Sequence, residues 1–330
     1  MNRSPSDEIA NWLPWKLSGT LCEWIHTADK KFTEPFFSDT ISVCKKFPEN
    51  RSSYKVITDL EIMSEWSGTI NAINPTAFIF HISRCGSTLL SQMLSLEESN
   101  IVLSEVPFFD ELLRLPYKDP IDRMLANDYL VAAIKLYGRK KSRDESQLFI
   151  KTDSWHLHFY EQLRDLFPSV PFILLFRNPL EVIHSHQKQR GMQSVPGMIE
   201  PGIFGFSEEQ LKGTNLDAYM TNVLEGYFKK MIEISKADDN TLLCNYNEGM
   251  NNVLKKINSF LNLHITPANE SLMQGRARFH AKHPEELFTE DQKEFNALDF
   301  MVPVLHLYEE LENIRLAKSC AMETISETTT

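Results

Sequence analysis

The stretch Pro75-Thr76-Ala77-Phe78-Ile79-Phe80-His81-Ile82-Ser83-Arg84-Cys85-Gly86-Ser87-Thr88-Leu89-Leu90-Ser91-Gln92-Met93-Leu94 passes through three textures. Thr76 to Ile82 is a continuous, mostly apolar run, which suits a strand buried on both faces of a parallel sheet. Ser83 to Thr88 is a turn of small residues, and Leu89 to Leu94 reads as a helix. Gly86 lets backbone come close to a ligand. The amides of the first helical turn carry partial positive charge and favour an anion. Arg84 adds a full charge, and Ser87 and Thr88 add hydroxyl donors. The segment therefore reads as a phosphate cradle, although an ordinary strand–helix turn has the same look when taken alone. It is not the GxxxxGK[ST] loop of ATPases, because Ser87 rather than Lys follows Gly86.

Working outward, further short apolar runs are Ile101-Val102-Leu103, Leu148-Phe149-Ile150, Pro171 to Phe176 and Thr241 to Asn245. Helical spacing lies between them, at Ile121 to Gly138, Leu216 to Lys236 and Met250 to Leu261. Asn178-Pro179-Leu180-Glu181 can open a helix, with Asn as N-cap, Pro in the first turn and Glu closing a capping box. Gly191 to Gly213 reads as a long loop, Arg276 to Lys282 as a basic loop and Val302 to Ile314 as a last helix. Alternating strands and helices predict an α/β fold in three layers, with a central, mostly parallel sheet flanked by helices. Ligands of such sheets bind beyond the carboxyl ends of the strands. Residues 1–74 form an aromatic-rich N-terminal region expected to pack on the core as short helices and extended pieces. Residues 75–318 form the α/β domain and 319–330 a flexible tail.

Composition narrows the partners. The 330 residues carry 34 Lys and Arg against 45 Asp and Glu, a net charge of −11. That argues against a general nucleic-acid binder, whose affinity rests on excess positive charge. A local basic pocket can still oppose the global sign. Cys22, Cys44, Cys85, Cys244 and Cys320 are scattered without a CxxC pair, so neither a disulfide framework nor a zinc site is expected. No run approaches the roughly 18–20 apolar residues of a membrane span, and the opening MNRSPSDEIANWLPWK lacks a signal-peptide core. A cytoplasmic setting is the expectation.

A second motif follows the strand ending at Phe176: Arg177 closes it and Ser185 stands eight residues on, in the next helix. With Ser83-Arg84-Cys85-Gly86-Ser87-Thr88, it resembles the P-loop-like sulfotransferase superfamily, which takes a sulfuryl group from 3′-phosphoadenosine 5′-phosphosulfate without a metal. The resemblance covers roughly Pro75 to Leu263. It includes Leu243-Cys244-Asn245-Tyr246-Asn247-Glu248, followed by a helix ending at Phe260-Leu261. It implies that Ser83, Arg84, Cys85, Gly86, Ser87, Thr88, Arg177, Ser185 and Tyr246 hold the nucleotide. Arg276, Arg278 and Lys282 stand in for the family's late glycine-rich basic signature. Departures are Ser83 for the usual Pro, Cys85 for the usual Ser, and Leu89 where many members place an adenine-stacking Trp.

The resemblance also implies a catalytic set of Glu105, Arg84 and Lys151. Glu105, just after the second of these strands, is expected to deprotonate the acceptor, with burial raising its pKa into a useful range. Another family branch uses a His two residues after a Lys-Thr pair. Here the place reads Lys151-Thr152-Asp153, which favours Glu105. His81, His156, His158, His184 and His186 are nearby alternatives. The reading is sulfuryl transfer to a hydroxyl or amine of a small-molecule acceptor. Competing readings are an ATP-dependent P-loop kinase and a catalytically degenerate nucleotide-binding protein.

Overall fold

The computed structural model describes Ile9 and residues 11–207, 215–279, 281, 285–287 and 298–328. The chain opens with a three-stranded antiparallel sheet of order β1-β2-β3, made by β1 (Trp12–Ser18), β2 (Leu21–His26) and β3 (Val56–Asp59). Two helices belong to this unit, α1 (Phe37–Cys44) and α2 (Leu60–Ser67). Its tryptophans turn inward. Trp24 is buried against Trp66 at a ring distance of 5.3 Å, and its indole N–H donates to Thr58 Oγ1 at 2.9 Å. The extended pieces expected here are thus strands that pair with each other.

The main domain is a five-stranded parallel sheet. Its strands are β4 (Ala77–His81), β5 (Asn100–Ser104), β6 (Gln147–Lys151), β7 (Phe172–Phe176) and β8 (Thr241–Asn245), in the order β5-β6-β4-β7-β8. Residues of both parities along each strand are buried, so both faces must be covered. That is why these strands read as continuous apolar runs rather than alternating ones. The covering helices include α3 (Ser87–Leu94), α4 (Pro107–Lys118), α5 (Arg123–Tyr137), α6 (Tyr160–Leu166) and α7 (Pro179–Lys188). After the short α8 (Pro201–Phe204) come α9 (Leu216–Ala237), α10 (Met250–Phe260), α11 (Pro267–Arg276) and α12 (Val302–Thr328). Among the described residues, no helix is long and apolar enough to cross a membrane.

Local expectations need two corrections. Asn178 does cap α7, its side chain accepting from Leu180 N–H at 2.9 Å. Glu181 does not close a capping box, because its carboxylate is taken by Arg177 and by the Asn247 amide at 3.0 Å. The last helix does not stop at Ile314 but runs to Thr328, through the segment expected to be a flexible tail. Leu316-Ala317-Lys318 and Ala321-Met322-Glu323 are strong helix formers, with no Gly or Pro to stop the helix.

Among the described residues, two hydrogen bonds tie the small sheet to the large domain. Leu17 N–H donates to Glu111 Oε2 at 2.7 Å, and the Tyr137 hydroxyl donates to the Pro14 carbonyl. Tyr137 is fully buried, so removing its hydroxyl leaves a buried carbonyl without that donor. Tyr137→Phe should therefore lower stability by about 1–3 kcal/mol; an unchanged urea midpoint would contradict this placement.

Candidate functional site

In the sheet order, the chain leaves β4 toward β5 on one side, and leaves β7 toward β8 on the other. The neighbours β4 and β7 therefore diverge at their carboxyl ends, and such a divergence opens a crevice for ligand. A cavity of ≈ 560 Å³ lies there, within the range of small-molecule sites. Its wall includes Ser83, Arg84, Gly86, Ser87 and Thr88 after β4, with Arg177 after β7, Ser185 in α7 and Tyr246 after β8. Glu105 after β5 faces it from the far side of the sheet.

The loop after β4 is held in left-handed backbone, with φ of 71° at Ser83, 51° at Arg84 and 80° at Gly86. Only at Gly86 is this conformation free of cost. A Cβ there would also lie 2.5 Å from Tyr246 Cδ2. The glycine therefore serves the close seating of Tyr246 as well as the turn. Arg177 lies over the Tyr246 ring at 4.3 Å and donates to the Arg84 carbonyl at 3.4 Å. Its Nε bonds Glu181. Arg84 in turn donates from Nη2 to the Gln189 carbonyl at 2.5 Å, and burial lowers its pKa from the ordinary arginine value. The Tyr246 turn is braced from outside the sheet. Asn245 Nδ2 donates to Tyr308 Oη at 3.1 Å and to Glu312 Oε2 at 3.0 Å, and Arg315 pairs with Glu248 at 2.7 Å.

The opposite wall is acidic. Glu105 sits at φ 53°, and Lys151 Nζ donates to its carboxylate. The Lys151 side chain has 0% exposure, and its ammonium lies 5.3 Å from the Phe36 ring. His81 is buried beside them. Its Nδ1 accepts from Ser83 N–H at 3.0 Å, so the ring proton is on Nε2. From there it serves the Thr152 carbonyl at 2.9 Å and Glu105 at 3.4 Å. Burial lowers the His81 pKa further, leaving it a neutral donor rather than a base.

The expected rise in the Glu105 pKa is not what this geometry gives. Burial pushes it up, but the Lys151 ammonium and the His81 hydrogen bond outweigh burial and hold it well below the usual carboxylate range. Asp153 behaves oppositely. Burial, then the nearby charges of Glu105 and Asp110, push its pKa well above the ordinary value. It lines the same cavity and has no Lys or Arg partner among the described residues.

Other expected site residues are placed elsewhere. Cys85 points away, its buried Sγ donating to the Leu175 carbonyl at 3.4 Å, with burial pushing the thiol up to about 11. Lys151 is under the cavity rather than on its wall. Arg276 donates to Gln92 Oε1 at 2.6 Å and to the Phe279 and Ala281 carbonyls. Arg278 is exposed, and Lys282 lies outside the described residues. The basic segment instead brings Phe279 and Ala281 to the cavity. Phe36, Trp155 and Gln193 also line it and carried no motif in the sequence. Asp110, Asp153 and His156 cluster closely enough to suggest a metal. Asp110, however, is already engaged by Arg114 at 2.8 Å, Trp155 at 2.6 Å and His156 at 2.9 Å, and an arginine at that distance opposes a cation.

No match was found among curated proteins. Among solved structures, the sulfotransferase domain from the Synechococcus PCC 7002 olefin synthase is similar at 15% identity, covering 73% of this chain and 95% of that one, with a TM-score of 0.45. Sulfotransferase STF9 from Mycobacterium avium is similar at 14% identity, covering 78% and 80%, with a TM-score of 0.48. The model of the sulfotransferase domain family matches residues 74–294. These residues hold the whole parallel sheet and the loops after β4, β5, β7 and β8, and the chain belongs to the sulfotransferase superfamily.

Proposed function

We propose that this chain transfers a sulfuryl group from 3′-phosphoadenosine 5′-phosphosulfate to a small-molecule acceptor. The observation that carries the reading is one cavity with Arg84 and Arg177 on one wall and Glu105 on the other. The loop amides from Gly86 to Thr88, with Arg84, face where negative charge develops on the leaving phosphate. Arg177 and Ser185 hold the 3′-phosphate, and Tyr246 keeps the Arg177 guanidinium flat. Leu89 and Phe279 on the cavity wall offer apolar surface for the adenine.

Glu105 takes the acceptor proton as the acceptor oxygen or nitrogen attacks sulfur. The sulfur–oxygen bond to the phosphate breaks, and the 5′-phosphate leaves with its electron pair. Lys151 keeps Glu105 ionised and aimed. A kinase reading is disfavoured by Ser87 in place of the P-loop lysine.

Three outcomes test this. Arg177→Ala should weaken binding of 3′-phosphoadenosine 5′-phosphate by about 2–5 kcal/mol, as loss of a desolvated charged contact does; calorimetry giving unchanged affinity would remove Arg177 from the site. Glu105→Gln should lower labelled-sulfate turnover by roughly 10²–10⁴-fold and leave nucleotide affinity near wild type. The third outcome concerns pH. Activity needs Glu105 ionised, so it is lost as pH falls through that group's pKa. Lys151→Met removes the main influence lowering that pKa and leaves burial to raise it. The acid limb of the pH–rate profile should therefore move to higher pH, and a limb that stays in place would refute this role.

A further inference from the structure

The cavity is polarised along the sheet, and the strand order is the cause. Crossing the carboxyl edge, the residues after β5 and β6 contribute Glu105 and Asp153, and those after β4 and β7 contribute Arg84 and Arg177. The two arginines thus follow one pair of neighbouring strands and the two carboxyl groups the other, with Arg84 near enough to feel the Glu105 charge. The arginine half is claimed by the nucleotide in the reading above, on which this inference rests. The carboxyl half is then left for the acceptor.

That half has a definite chemistry. Its walls are Phe36, Glu105, Asp153 and Trp155. Phe36 comes from the N-terminal unit and is brought there by the Ser104 hydroxyl, which donates to the Pro35 carbonyl at 3.0 Å. Trp155 is fixed by its indole bond to Asp110 at 2.6 Å. Aromatic faces beside carboxyl groups form the usual environment of a bound ammonium.

The charges do not balance on their own. Glu105 is answered by Lys151, whose ammonium is sealed beneath it. Asp110 and Glu200 share Arg114, with Arg114 Nε 2.6 Å from Glu200 Oε2. Asp153 is left over. Its nearest ring, His156, accepts Asp153 N–H at Nδ1 at 3.3 Å, turns Nε2 to Asp110 at 2.9 Å and stands 3.8 Å from Asp153 Oδ2. Asp153 is 8% exposed and lines the cavity. Among the described residues no Lys or Arg pairs directly with its carboxylate; Lys151 and Arg114 act on it only from farther off, and a cationic ligand would supply the missing partner.

We infer that the acceptor is a small molecule carrying both a hydroxyl and an ammonium group, the hydroxyl set on Glu105 and the ammonium between Asp153 and the Phe36 and Trp155 rings. An ammonium nitrogen has no lone pair, so it is the group recognised and the hydroxyl is the nucleophile. Ser104 pairs with Lys151 in register, so Glu105 and Asp153 follow the carboxyl ends of neighbouring strands, and the charge of one is felt by the other.

The test compares matched pairs that differ only in the amine: phenylalaninol against 3-phenyl-1-propanol, and tyramine against 4-ethylphenol. Transfer of labelled sulfate is measured beside the thermal shift given by 3′-phosphoadenosine 5′-phosphate. The amine of at least one pair should be preferred about tenfold or more in kcat/KM, the size expected for one buried charged contact. Asp153→Asn should cut that preference to about twofold, and Phe36→Leu should reduce it several-fold. The wild-type comparison stands even where a variant fails to fold. A nucleotide shift with equal use of amine and neutral partners, or with no transfer to either amine, overturns the inference and leaves the sulfotransferase reading intact. Absence of any nucleotide shift overturns the sulfotransferase reading itself.

Discussion

An ammonium group sealed from water needs an anion against it, and much of this molecule is arranged around that requirement. Lys151 ends β6 with no exposed side-chain surface. Burying one charge alone costs several kcal/mol, and removing one partner of a buried pair costs about 3–5 kcal/mol. Glu105 must therefore stay where it is, even though its backbone is held at φ 53°. The pair in turn fixes His81, because Glu105 and the Thr152 carbonyl share its single ring proton. His81 then accepts Ser83 N–H and so sets the start of the anion-binding loop. One ion pair thus connects the two walls of the cavity through a single histidine.

Backbone strain follows the same path. Ser83, Arg84 and Glu105 are non-glycine residues at positive φ, each of which costs on the order of 1–3 kcal/mol. All three line the cavity. The sheet beneath them is made of fully buried Phe, Ile and Leu residues, which provide the stability that such strain consumes. The site is held from below by bonds that reach it from three different strands.

The parts written in local order along the chain were legible in the sequence. The strand runs, the Gly86 turn and the spacing from Arg177 to Ser185 each occupy a few consecutive residues, and Gly86, Arg177 and Ser185 come to the wall of one cavity. What escaped was set by long-range packing. The Lys151–Glu105 pair joins residues 46 apart, and without it burial alone suggested a raised carboxylate pKa rather than a lowered one. Arg276 looked like a ligand for phosphate because its neighbours are basic. Gln92 and two carbonyls take its donors instead, and no local pattern announces that. Phe36 carried no motif, since only the fold of the first 70 or so residues brings it to the cavity.

The bracing of this site reaches beyond the segment that the family shares. Residues 74–294 match the family model, yet Phe36 lies before that segment, and Tyr308, Glu312 and Arg315, which brace the Tyr246 turn, lie after it. The smallest piece able to present a finished cavity is thus larger than the recognisable domain. In such an arrangement a substitution before residue 74 or after residue 294 can reshape the cavity wall at Phe36 or loosen the Tyr246 turn while the shared segment stays unchanged.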